Sequence, residues 1–257
     1  MKTTSVVLRA LAVAIAAIVL APSVAPADSP RPQTVADVVA RYLDAIGGEQ
    51  ALKDVKTLRL TGKHREQGFE IDMEIVWRRP DVRRVNWRLS PQMEGAEGFD
   101  GTVPWEVNHK SGKAEALTGA QADAARRGAE FDESFVDAQA KGTQVVLVGR
   151  ETLDGRAANH LRVTLADGWV KDYYLDAETG LIVALKKAMP IHGAGKPISS
   201  ITRYKEYRRV GNLLYPYAFE ETNAETGAWL SSDAWTRVEL NPDLAESTLR
   251  APNPLAR

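Results

Sequence analysis

Cysteine is absent from all 257 residues, so disulfides and thiolate metal sites are excluded, and so is an acylated N-terminal cysteine anchor. Histidine is scarce. His64, His109, His160 and His192 stand far apart, and no two have the i, i+2 or i, i+4 spacing that aims two imidazoles at one metal. Neither a metal nor any other cofactor is therefore expected. Charge of one sign is also missing: 33 basic residues against 34 acidic leave a net charge of −1. That excludes nucleic acid as a partner, which calls for a concentrated positive face. The chain has no Gly-x-Ser-x-Gly elbow and no His-Glu-x-x-His helix. Gly193-Ala-Gly-Lys196 fails as a phosphate loop, because Pro190 replaces its first glycine and Pro197 its Ser or Thr. No catalytic residue is expected. Nor does any 20–50-residue period repeat, which sets aside propellers and solenoids.

An apolar run of spanning length is missing too. The longest, Ala10 to Ala21, falls short of the roughly 20 residues a membrane helix needs. Lys2 and Arg9 precede it, and Ala25-Pro26-Ala27 follows with small residues, the pattern of a secretory signal peptide over residues 1–27. Removing it leaves 31 basic and 34 acidic residues, a net charge of −3. The expected location is the periplasm, reached by Sec export. Residues 28–34 read as a flexible leader, 35–250 as one domain and 251–257 as a tail. Without disulfides the domain depends on its core, which a chain of this length can supply.

What the chain does have is alternation. In Phe69, Ile71, Met73, Ile75 and Trp77 every second residue is apolar, with Glu70, Asp72 and Glu74 between them. Side chains alternate faces along a strand, so this is a ribbon with one apolar and one acidic wall. Val85, Trp87 and Leu89 share a face in the next strand, and Val103, Trp105 and Val107 in a later one. Turn signals such as Arg79-Pro-Asp81, Asp154-Gly155, Asp167-Gly168 and Gly211-Asn212 separate such runs, and predict 11–13 antiparallel strands. Helices are expected in two places. Thr34 caps an amphipathic helix over 35–46 that stops at Gly47-Gly48, and a short piece follows over 49–55. Residues 119–141, rich in alanine and charge, carry Phe131, Phe135 and Val136 as their only large apolar anchors and read as short lid helices over the sheet. Pro190 to Pro197 reads as a mobile loop, and 243–248 as a short helical turn in the tail.

Glu70, Asp72 and Glu74 form a solvated outer wall on this reading rather than an acid–base site, which would need a cleft that separates their pKa values. The apolar residues Ile71, Met73, Ile75, Trp77, Val85, Trp87, Leu89 and Trp105 are the candidate lining of an interior. Tyr173-Tyr174 puts one ring on each face.

The sequence resembles the LolA-like group of outer membrane lipoprotein-sorting proteins. The likeness lies in Tyr42-Leu-Asp-Ala-Ile-Gly-Gly48, Thr57-Leu-Arg-Leu-Thr-Gly62, Phe99-Asp-Gly101 followed by Trp105, and Tyr173-Tyr-Leu-Asp-Ala-Glu-Thr-Gly180. The resemblance implies a mainly β fold, an unclosed antiparallel β-barrel with a helical lid over a hydrophobic cavity. It also implies a carrier with no enzymatic activity, whose partners are lipid or lipoprotein acyl chains. A monomer is expected, with envelope proteins as further partners. The alternatives are a sensor or partner-binding module with a filled core, and an envelope hydrolase.

Overall fold

The alternation of residues 69–77 is realised in full. Thr57–Glu66 (β1) and Phe69–Arg78 (β2) form a hairpin, continued by Val82–Ser90 (β3), Met93–Phe99 (β4), Pro104–Val107 (β5) and Ala114–Ala116 (β6). A second meander runs through Gln144–Leu153 (β7), Arg156–Thr164 (β8), Val170–Asp176 (β9), Ile182–Met189 (β10), Ile198–Val210 (β11), Leu213–Asn223 (β12) and Trp229–Leu240 (β13). This description comes from a computed structural model and covers residues 33–109, 111–189, 197–251 and 255–256. The segment read as a signal peptide, and residues 190–196 of the proline-bounded loop, lie outside it.

The two meanders join where β1 pairs with β13, so thirteen antiparallel strands make one sheet. Leu255–Ala256 (β14) adds a two-residue parallel strand against β6. The strand order ends at β7 on one side and at β14 and β6 on the other, and these edges do not pair, so the barrel is unclosed. The last strand of the first meander and the first strand of the second stand at opposite edges, so residues 117–143 must cross the sheet. They do so through Gly119–Gly128 (α3) and an irregular segment after it.

Burial tells the two faces apart. On the inner face Leu58, Leu60, Ile75, Val85, Trp235 and Val238 form one apolar cluster. Leu161, Val163, Tyr173, Leu175, Ile182 and Leu185 form a second, roofed by Val38, Tyr42 and Ile46 of Val35–Ile46 (α1) and by Phe135 and Val136 of the crossing segment. A capping box starts α1: the Thr34 hydroxyl accepts from the Asp37 N–H at 3.2 Å, and the Asp37 carboxylate accepts from the Thr34 N–H at 2.8 Å. The helix stops at Gly47, where φ is +123° and a Cβ would lie 2.1 Å from the Asn212 carbonyl oxygen. Only glycine lets α1 come this close to the β11–β12 turn. Glu49–Asp54 (α2) follows at once.

The outer face is ionic. Lys63 pairs with Glu70 at 2.6 Å and with Asp72 at 3.3 Å, and Arg59 with Glu74 at 3.6 Å. The exposed Lys63 pairs contribute only about 0–1 kcal/mol each, and the Arg59–Glu74 pair is half-buried. Their value lies in register, because a one-residue slip would bring three carboxylates to the apolar side. One outer patch is apolar: Val76 and Val82, covered by Leu244 and by Leu249 of the 3-10 turn Glu246–Leu249.

Candidate ligand cavity

Two chambers open on the inner face. The smaller, about 350 Å3, lies under the crossing segment and is lined by Tyr42, Leu60, Ile75, Trp77, Phe131 and Phe219, among others. The larger, about 900 Å3, is lined by Phe69, Ile71, Met73, Val85, Trp87 and Leu89 from β2 and β3, with Gln121, Ala124 and Ala125 of α3 above them. Both fall within the roughly 300–1,000 Å3 usual for small-molecule sites.

Of the eight candidate lining residues, seven face these chambers. Ile75 and Trp77 line the smaller one, and Ile71, Met73, Val85, Trp87 and Leu89 the larger. Trp105 points the other way. It pairs with Gly98 across β4–β5, and its fully buried ring lies on the outer face under the Arg84 guanidinium, 5.2 Å from ring centre to Cζ. The ring fits there because position 98 is glycine, where a Cβ would sit 3.0 Å from the indole. The apolar phase of β5 is thus reversed relative to β2 and β3. Arg84 donates to the Thr248 carbonyl at 3.3 Å, so the C-terminal turn covers this side.

The crossing segment is held unevenly. In α3 only Ala122 is buried, and its N-cap Thr118 makes no side-chain capping bond. Residues 129–143 are tied down by charge. Lys171, buried on β9, donates to the Ser134 hydroxyl at 2.6 Å and to the Glu130 carboxylate at 3.2 Å, and Lys141 donates to Glu130 at 2.9 Å. Burial opposes ionisation of Glu130, but Lys171, Ser134 and Lys141 hold its carboxyl below the ordinary range. Arg79 pairs with Asp132 and donates to the Leu52 and Val55 carbonyls at 2.9 and 2.6 Å, which links the segment to the end of α2. Phe135 sits edge-on to Tyr42 and Tyr173 at 5.1 and 4.9 Å. Sequence reading found the aromatic anchors. It missed the ionic ones, whose partners lie on β9 and in the β2–β3 turn.

Charged groups also line the chambers. Glu133 projects into the smaller one among tyrosines, and burial pushes its carboxyl up against the opposing pull of Lys171. His64 lies at the rim of the larger chamber, 2.7 Å from Asp233 and 3.0 Å from Glu66. Burial alone would lower its pKa, but the two carboxylates outweigh this and raise it to about 9. His160, on the outer face, is clamped in the same way between Glu151 at 2.6 Å and Asp172 at 2.8 Å, stacked on Tyr174. Among the described residues no three His, Asp or Glu side chains are arranged to hold a metal ion.

This open, lidded sheet has counterparts among solved structures. A LolA superfamily protein from Nitrosomonas europaea superposes with a TM-score of 0.57 at 12% identity, over 85% of this chain and 98% of that one. The fold is LolA-like. A putative outer membrane lipoprotein-sorting protein domain from Vibrio parahaemolyticus gives 0.58 at 10% identity, over 83% of this chain and 94% of that one. A DUF1329 family protein from Desulfovibrio piger gives 0.59 at 8%, over 85% and 98%. No protein-family model and no curated protein matches the chain by sequence. At such identities the likeness is one of backbone architecture. The family resemblance read from the turn and strand motifs is thus matched at the level of fold.

Proposed function

We propose that this protein is an exported, non-enzymatic carrier that holds an acyl lipid, or the acyl chains of a lipoprotein, in the inner-face chambers. One observation carries the reading: a LolA-like sheet that leaves two largely apolar chambers under its lid, with seven predicted wall residues facing them. Each buried methylene contributes about 0.8 kcal/mol, so burying acyl chains drives uptake with no reacting group, more firmly for two chains than for one. The loosely packed α3 covers the larger chamber and is the part that moves aside on loading. Open chamber volume favours this over a sensor module with a filled core.

In this reading residues 1–27 are cleaved on export, and the mature periplasmic chain begins at Asp28. The test is to express the full chain in a Gram-negative host, release the periplasm, sequence the N-terminus and extract bound lipid for mass spectrometry. Mature protein starting at Asp28 with stoichiometric lipid is the expected result. Protein without lipid, which also fails to take up a neutral fluorophore such as N-phenyl-1-naphthylamine, would overturn the carrier reading.

A further inference from the structure

The larger chamber holds charges that, among the described residues, have no opposite charge within ion-pair distance. Arg83 belongs to the inner face, opposite Trp77 in β2 and Phe99 in β4. Its guanidinium is turned towards Trp77, 5.3 Å from the ring centre, and towards Gly128 at the end of α3, where a Cβ would lie 2.6 Å from Nη1. Its Nε is buried without a hydrogen-bond partner, and among the described residues no carboxylate lies within ion-pair distance of Arg83. Burial lowers its pKa, with Glu97 and Asp233 supporting the charge from further away. The carbonyl end of α3 supplies some compensation. Arg83 is half-buried, and a guanidinium with a buried, unbonded Nε and no carboxylate beside it is costly unless something else pairs with it.

On the same face Glu97 and Glu106 stand directly opposite one another across β4–β5, and both line the chamber. Glu97 is exposed at the chamber mouth and Glu106 half-buried, so water relieves part of their repulsion, and among the described residues neither has a cationic partner. Of the other titratable groups lining the chamber, His64 and Glu66 are bonded to one another and His64 also to Asp233, while His109 stands exposed at its mouth. Arg83 and Glu97 are diagonal neighbours across β3–β4, about 7–8 Å apart at their backbones, yet they do not meet because Arg83 is turned away.

We propose that the larger chamber seats a zwitterionic acyl lipid headgroup, with its phosphate on Arg83 and its ammonium on the Glu97–Glu106 pair. The chain then runs along the wall of Ile71, Met73, Val85 and Trp87. This rests on the carrier reading and adds the class of ligand. A neutral headgroup leaves both charge sets unpaired. A purely anionic one satisfies Arg83 but faces two carboxylates. Only a headgroup with both signs, the phosphoethanolamine type, answers the whole arrangement.

The experiment uses delipidated mature protein and displacement of bound N-phenyl-1-naphthylamine by dioleoyl phosphatidylethanolamine, dioleoyl phosphatidylglycerol and diolein. Phosphatidylethanolamine should compete about tenfold better than either of the others, the worth of one charge-assisted contact. Arg83→Met should weaken both phospholipids about tenfold, with partial recovery in Arg83→Lys. The double variant Glu97→Gln, Glu106→Gln should weaken phosphatidylethanolamine alone and leave phosphatidylglycerol unchanged or tighter. Each variant's own fluorophore affinity is measured first, and the lipid competition is expressed relative to it. If the fluorophore binds but phosphatidylethanolamine competes no better than diolein, or ignores both sets of substitutions, the headgroup assignment is wrong while the carrier reading stands. Failure of the fluorophore to bind the wild-type protein removes both.

Discussion

Single side chains decide which surface of this sheet is wet. Ile75 is 6% exposed between Leu60 and Val85, whereas Asp72, three residues earlier, points into solvent beside Lys63. Ile75→Asp places an unpaired carboxylate in the core and should cost about 3 kcal/mol or more, read from urea unfolding. Asp72→Ser should stay within about 0.5 kcal/mol in the same assay. Equal effects would mean that the faces are misassigned. His64 makes a pH prediction. Its pKa of about 9 in the folded chain exceeds the roughly 6.5 of an unfolded histidine, so the protonated ring favours folding. That contribution is fully present below about 6.5 and is lost as pH rises through about 9. Thermal stability should therefore decline across this window, and His64→Gln should flatten the decline. Arg83 and Trp105 show what alternation can and cannot deliver. Arg83 lies two residues before Val85, so its inward direction was readable from the same pattern. Trp105 shared every sequence property of a lining residue, and only the β4–β5 register with Gly98 turns it outward.

At the level of elements the crossing segment is two things in series. α3 buries little and carries no side-chain cap, while residues 129–143 are pinned by Lys171, Lys141 and Arg79. Hydrogen exchange should reflect this, with α3 amides exchanging well before those of β2 and the pinned stretch in between. Lys171→Met removes the cation shared by Ser134 and Glu130 and should release 129–143 by about 2 kcal/mol of opening free energy. Protection in β8 and β9 should persist. α3 amides as protected as those of β2 would rule out the gate assigned to this helix. The opening helix was legible because its signals are local: Thr34, the apolar stripe and Gly47 all act within one or two turns. Lid anchoring was not, because Lys171 and Arg79 lie about 40 and 50 residues from their partners Glu130 and Asp132.

For the molecule as a whole, the unclosed sheet couples cavity to access. A closed barrel of thirteen strands would need no crossing lid, and a filled one would leave no room under it. A ligand that binds only the folded state stabilises it by mass action. Phosphatidylethanolamine at one hundred times its Kd should add about 2.7 kcal/mol to the unfolding free energy of the delipidated protein. The check is a denaturant titration with and without lipid. No gain at saturating lipid would argue against a folded-state site.

The sequence by itself determined the class of object: strand number, the phase of the ribbon at residues 69–77, the capped first helix and the turns. Each of these depends on neighbours a few positions apart, through alternation, capping or glycine at positive φ. Tertiary structure alone decided the pairing of β1 with β13, and with it the open edges, the crossing of residues 117–143 and the volume beneath them. It also decided which charges met partners. Glu130 found Lys171, and His64 found Asp233, while Arg83, Glu97 and Glu106 were left facing the chamber. Such outcomes depend on register between distant strands, which no local pattern encodes.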